Sequence, residues 1–206
     1  FTERIDGKVL PERYLTAAHP DFVLHAMETG EPYPVRALIV EATNPLLTYG
    51  DTHRVFNALM SLDLIVVLDY FMSITASIAD YVLPAAQAME RPTFQAHGGV
   101  ANIGYGGPAA VEPYYERKTD YDFFRLLGLR LGQAEFWPDE TFADALRTTL
   151  APAGMSYEEY CETGIYTRKP DYYKHLRVDE SGRYLGFGTS TGLVELASEE
   201  LTALGG

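Results

Sequence analysis

The chain has 206 residues, with 16 Lys plus Arg against 29 Asp plus Glu, a formal charge of −13. That length suits one domain, or one with an appendage, and can bury roughly 70% of its unfolded surface. Hydrophobic residues at 47% and charged residues at 22% exclude a disordered chain, and the acidic balance excludes general nucleic-acid binding.

Residues 1–34 form a polar lead-in punctuated by Gly7, Pro11, Pro20, Gly30, Pro32 and Pro34. One helix is expected inside it, from about Pro20 to Thr29, with Phe22, Val23 and Ala26 on one face. Three apolar runs of strand length follow, at Val35–Ala42, Leu64–Asp69 and Tyr81–Ala86. Strands apolar on both faces belong in a parallel sheet covered by helices. Between the first two, Asp51 is placed to cap a helix with Val55, Phe56, Leu59 and Met60 as its apolar stripe. Ser73 or Thr75 is placed to cap a short helix through Ala79. This alternation is a βαβ unit, right-handed by default.

Residues 92–117 hold Gly98, Gly99, Gly104, Gly106 and Gly107 with few periodic apolars, and read as an extended functional or interface loop. Three helices are expected next. Asp120 caps Tyr121–Leu131, which Gly132 ends; Asp139 caps Glu140–Leu150; Ser156 with Glu159 makes a capping box. Residues 164–188 read as irregular, Val194–Ala197 as a small strand, and Ser198–Leu204 as a last helix stopped by Gly205. The expected class is α/β, a three-layer Rossmann-like sandwich with a mainly parallel sheet. It occupies residues 35–135, after the lead-in of 1–34, and a helical and irregular extension of 136–206 follows.

Ligands of open α/β sheets bind beyond the C-terminal strand ends. Here those ends are Ala42-Thr43-Asn44-Pro45, Asp69-Tyr70-Phe71-Met72-Ser73 and Pro84-Ala85-Ala86. Asp69 has two uses open to it. It can cap the following turn, which spacing alone favours. It can also accept hydrogen bonds from a ligand: a ribose diol, or the adjacent N1–H and N2–H₂ of guanine, which match both carboxylate oxygens. Ser73 carries the same ambiguity, and Asn44 can bond its own backbone. Lys is absent from Arg13 through Arg117, so an anion bound there needs backbone N–H groups, hydroxyls or Arg.

The five histidines (His19, His25, His53, His97, His175) show no ligand spacing, and only His97 stands in a segment that reads as functional. Glu90 is suited to bonding loop amides rather than to acting as a general base. Cys161, the single cysteine, cannot alone make a disulfide, an iron–sulfur cluster or a zinc site. The apolar runs are too short to span a bilayer, so no membrane insertion is expected, and no signal peptide is visible. The start at Phe1 rather than Met leads us to expect a piece of a longer protein.

Several runs together resemble one family. Thr29-Gly-Glu-Pro-Tyr-Pro-Val-Arg-Ala37 and Ala42-Thr-Asn-Pro45 are similar to the "tGkPYPvka…G-x-N-P" run of molybdopterin oxidoreductases of the dimethyl sulfoxide reductase type, which bind molybdopterin guanine dinucleotide. Leu64–Pro84, with Glu90 beyond it, resembles the "vvvxDxfxteTAxxADvVLPaaxxxE" run. Thr119–Gly132 resembles the "tDwxixxxLaxrlG" helix, and Phe187–Leu196 the "fxTpsGKvEl" segment. Ala42 stands where the family usually has Gly, and Leu193 where it often has Lys.

The resemblance implies a Rossmann-like domain holding one guanosine end of the cofactor. It places Asp69 on guanine, Ser73 as a nearby hydroxyl contact, and Ala42, Thr43 and Asn44 in the loop beside the nucleotide. The molybdenum ligand and any iron–sulfur cysteines would lie upstream in the parent, so the chain alone is expected to hold neither and to be inactive. Its partners would be the parent's other domains and an electron-transfer subunit, as in anaerobic respiration. The compartment, prokaryotic cytoplasm or periplasm, stays open, because an export signal would precede this segment. Two alternatives are a degenerate domain of a respiratory-complex subunit that keeps the fold without cofactor, and a free-standing nucleotide-binding module.

Overall fold

The computed structural model describes Ile5 and residues 18–97, 103–167, 173–189, 191–197 and 202–203. The chain divides into two compact units, residues 24–168, and residues 1–23 with 169–206.

Helix α1 spans Pro20–Thr29 and buries Leu24, Ala26 and Met27. The inward face is therefore rotated from the expected one, and Phe22 is exposed. Three parallel strands follow, β1 (Ala37–Glu41), β2 (Leu64–Asp69) and β3 (Tyr81–Pro84), in the order β1-β2-β3. Ala37 pairs with Leu64 and Glu41 with Leu68; Val66 pairs with Tyr81 and Asp69 with Pro84. The strand and sheet expectations hold; the Val/Ile/Leu-rich runs of β1 and β2 supply the buried residues, whereas no residue of β3 is fully buried. Val40, Ile65, Val67 and Leu68 are core residues.

Between β1 and β2, Asn44-Pro45 opens a short helix α2 (Pro45–Thr48) that the turn reading missed. Helix α3 (Thr52–Met60) is capped by Asp51, whose carboxylate accepts the Arg54 N–H. Its buried side chains are Val55, Ala58 and Leu59, while Phe56 and Met60 are exposed. The inward stripe thus includes the small Ala58 in place of Phe56 and Met60. After β2, Ser73 Oγ accepts the Ala76 N–H at 3.3 Å and a single 3₁₀ turn covers Ala76–Ile78.

Residues 92–117, expected as one extended loop, contain two strands. Strands β4 (Thr93–His97) and β5 (Ile103–Gly107) pair antiparallel, and β6 (Ile165–Thr167) adds to β5, making a second sheet. Its glycines serve packing. A Cβ on Gly106 would lie 2.0 Å from the Thr93 carbonyl oxygen, and one on Gly104 would lie 2.9 Å from the Phe94 ring. Gly98 and Gly99 lie outside the described residues.

Helix α4 (Asp120–Arg130) is capped by Thr119 in a reciprocal box with Asp122, and α5 (Phe142–Leu150) by Thr141 with Asp144. Both caps sit off the aspartates expected, Asp120 and Asp139, because in each case a threonine hydroxyl with Asp three residues on satisfies two end N–H groups at once. In α6 (Tyr157–Thr163), Ser156 is the cap, accepting from Glu159 N–H. Leu146, Leu150, Tyr157 and Tyr160 make a second core cluster against which Phe94 and Cys161 pack. Tyr160 donates its hydroxyl to the Thr93 carbonyl at 3.0 Å, tying α6 to β4.

In the other unit, Asp179 organises a tight turn, accepting from Ser181 and Arg183 N–H groups, and Val178 bridges Tyr184. Val194–Ala197 is not a strand, and of the helix expected at Ser198–Leu204 only Thr202 and Ala203 are described.

Candidate functional site

Parallel pairing sends the ends of β1 and β2 out at one sheet edge. A cleft of ≈ 580 Å³ lies there, lined by Glu41, Ala42, Thr43, Asn44, Thr48, Leu68, Asp69, Tyr70, Phe71, Ser73, Ala85, Arg91 and Asp120. All five residues singled out from the sequence (Ala42, Thr43, Asn44, Asp69, Ser73) therefore share one cavity. Its size falls in the range of small-molecule sites.

The turn after β2 is built by Asp69. One carboxylate oxygen accepts from the N–H groups of Tyr70 (2.7 Å) and Phe71 (3.2 Å), and the other from Ser73 Oγ (2.7 Å). Asp69 is thus a turn-capping residue that also faces the cleft; the two uses are not exclusive. A carboxylate offers about four acceptor positions, and three are taken, so the second oxygen keeps one for a ligand. The carboxylate is not free to meet two guanine donors symmetrically, as the sequence suggested.

The turn after β1 is held from the other side. Asn44 Oδ1 accepts from Thr75 Oγ1, and the buried Thr75 oxygen accepts the Leu46 N–H at 3.2 Å. Asn44 is therefore a strut between the two turns, its carboxamide oxygen committed. Ala42 has φ 53, in the left-handed region. A glycine would adopt that conformation without steric cost, so the departure from the family's Gly falls on a residue whose backbone calls for one.

Three cleft residues were not recognised from the sequence: Glu41, Arg91 and Asp120. Glu41 carries the same signal as Asp69, a carboxylate ending an apolar strand. Asp120 was assigned to a cap that Thr119 supplies. Arg91 has no sequence signal; only folding brings it to this edge. Burial pushes the Glu41 carboxyl above its ordinary range, and the neighbouring Asp120 carboxyl pushes it further, against the pull of Arg91. The Arg91 Nε is buried and has no hydrogen-bond partner among the described residues. These three residues also border an adjoining cavity of ≈ 330 Å³ walled by Tyr121, Phe124, Trp137 and Phe142.

Glu90 does bond loop amides. It is buried and accepts from Gln87 N–H (2.9 Å), Tyr114 N–H (3.2 Å) and Arg117 Nη1 (2.6 Å). The Gln87 N–H bond is the foremost cause holding its carboxyl below the usual range, helped by Arg117. Cys161 is half-buried beside Tyr157, whose hydroxyl is pushed up to about 12 by burial and then by the thiol. His97 ends β4. Among the described residues no three His, Cys, Asp or Glu side chains come together as a metal-binding group, and no helix is long and apolar enough to cross a membrane.

A parallel α/β sheet with a cleft beyond the C-terminal ends of its strands is the arrangement in which open α/β folds bind their ligands. A family model described as "Molybdopterin oxidoreductase" matches residues 15–130, and the chain belongs to that family. It is 36% identical over 189 residues to acetylene hydratase of Syntrophotalea acetylenica, covering 91% of this chain and 25% of the hydratase. It is 29% identical over 178 residues to dimethyl sulfoxide/trimethylamine N-oxide reductase of Cereibacter sphaeroides, covering 79% and 22% of the two chains. The solved acetylene hydratase structure from Pelobacter acetylenicus superposes with a TM-score of 0.80 at 36% identity over 92% of this chain. The chain spans about a quarter of the length of these relatives.

Proposed function

We propose that this chain is the part of a longer molybdopterin-dependent enzyme that holds a guanosine end of molybdopterin guanine dinucleotide in the cleft between the β1 and β2 turns. The observation that carries the reading is the convergence of Asn44 and Asp69 on one cavity at the C-terminal sheet edge. The residues fit such a group. Asp69 retains one acceptor position for a guanine N–H, Thr43 is exposed on the opposite lip, and Arg91 has an unspent donor. The metal end of the cofactor supplies the reaction chemistry when bound. The role of this chain is to bind and orient. Asp69 accepts from the base, Ser73 fixes the Asp69 rotamer through its 2.7 Å bond, and the Asn44–Thr75 bond sets the spacing of the two turns.

On this reading the parent's remaining domains, any iron–sulfur cluster and an electron-transfer subunit lie outside the segment, and the segment alone is inactive. The relatives' names include a hydratase and a reductase, so the parent's reaction follows from its own metal site.

Titration of the ¹⁵N-labelled chain with guanosine tests the reading. Amide resonances of 42–44 and 69–73 should shift, weakly and saturably, and adenosine should shift them less. Asp69→Asn keeps an oxygen for the Tyr70 and Phe71 N–H groups and should leave the spectrum folded while reducing the guanosine response. Guanosine leaving both turns unmoved, or shifting them no more than adenosine does, would refute the assignment.

A further inference from the structure

Glu41 closes β1 in register with Leu68, one strand over from the residue that precedes Asp69. It borders both cavities, as do Asp120 and Arg91. Two carboxyl groups thus meet beside one guanidinium whose Nε has no hydrogen-bond partner among the described residues. An anion entering here would meet the acidic side chains of Asp120 and Asp69 beside a Glu41 that can itself lose its proton, surroundings that disfavour it. A neutral group with two adjacent hydrogen-bond donors would instead find matched acceptors, and Arg91 could donate back to one of its oxygens.

We propose that Glu41, paired with Asp120, is a ligand-contacting acceptor for the vicinal hydroxyls of the ribose, so that this corner of the cleft selects a ribonucleoside and turns away phosphate. This rests on the reading of the cleft as a guanosine site and adds a residue and a specificity to it. It also makes binding proton-linked. The charged groups that act on Glu41 are Asp120 at the start of α4 and Arg91 beyond β3, and Asp69 at the end of β2 lines the same cavity. Without ligand, burial and Asp120 favour the protonated Glu41. Hydroxyl donors favour the carboxylate, so binding expels the proton to solvent. Affinity therefore rises with pH through the Glu41 titration and levels off above it.

The experiment is an NMR titration of the labelled chain with three probes: guanosine, 2′,3′-dideoxyguanosine and inorganic pyrophosphate. Dideoxyguanosine should bind about tenfold more weakly than guanosine, the scale of one hydrogen bond to a charged group. Glu41→Gln, with a folded amide spectrum, should weaken guanosine by a similar factor, narrow the gap between the two nucleosides and flatten the pH dependence. Pyrophosphate should leave the Arg91 resonances unmoved. Equal affinity for the two nucleosides, an unchanged Glu41→Gln, or a pyrophosphate response at Arg91 would overturn this assignment while leaving the base site standing. Guanosine failing to move the 42–44 and 69–73 resonances would instead overturn the guanosine reading itself, and this assignment with it.

Discussion

Replacing Ala42 by glycine should stabilise the chain. Ala42 holds φ 53, and a left-handed conformation costs an L-residue with a Cβ about 1–2 kcal/mol. Glycine removes that cost but loses more backbone entropy on folding, about 0.4–1 kcal/mol. The residue is exposed, so deleting its methyl group opens no core cavity. The difference is a net gain of about 0.5–1 kcal/mol, or roughly 1–4 °C in Tm for a chain of this size. Urea unfolding followed by circular dichroism would measure it, with Ala42→Val as the opposite arm. A β-branched side chain is poorly tolerated at positive φ, so valine should lower the midpoint. A glycine variant destabilised by 0.5 kcal/mol or more, or a valine variant as stable as the parent, would refute the argument from backbone strain.

Tyr160→Phe should destabilise by about 1–2 kcal/mol in urea unfolding, because it strands the Thr93 carbonyl that Tyr160 satisfies from a fully buried position. Gly128→Ala should lose stability although alanine is the better helix former by about 1 kcal/mol, since the new Cβ would stand 2.2 Å from Trp137 Nε1. A shifted emission from Trp137, the single tryptophan, would report the displacement, and an unshifted, stabilised variant would contradict it. Glu90, its folded carboxyl held below the usual range by the Gln87 N–H and by Arg117, contributes stability that is complete above the ordinary glutamate range and is lost as pH falls through the lowered folded value. Glu90→Gln should therefore flatten the acid limb of the stability profile, and an unchanged limb would assign the acid sensitivity to other groups.

The sequence by itself determined the parallel sheet. The runs at Leu38–Val40 and Leu64–Leu68 are apolar at every position, which only a strand covered on both faces tolerates, and Asp51, Ser156 and Gly132 marked ends by local chemistry. It also determined that Ala42–Asn44 and Asp69–Ser73 are strand-end turns, and parallel pairing alone then requires them to share an edge. Local pattern could not reveal the second sheet. Residues 93–107 are too glycine-rich to read as strands, and their glycines make sense only against Phe94, Tyr160 and the Thr93 carbonyl, contacts up to 67 residues apart in the chain. The inward faces of α1 and α3 were misjudged for a related reason. Hydrophobicity placed Phe22, Phe56 and Met60 inward, whereas the buried faces are Leu24, Ala26 and Met27 in α1 and Val55, Ala58 and Leu59 in α3. The electrostatics of the cleft was likewise decided by tertiary structure. Glu41, Arg91 and Asp120 come from β1, the segment beyond β3 and α4, and charges act through distance in space, which spacing along the chain does not encode.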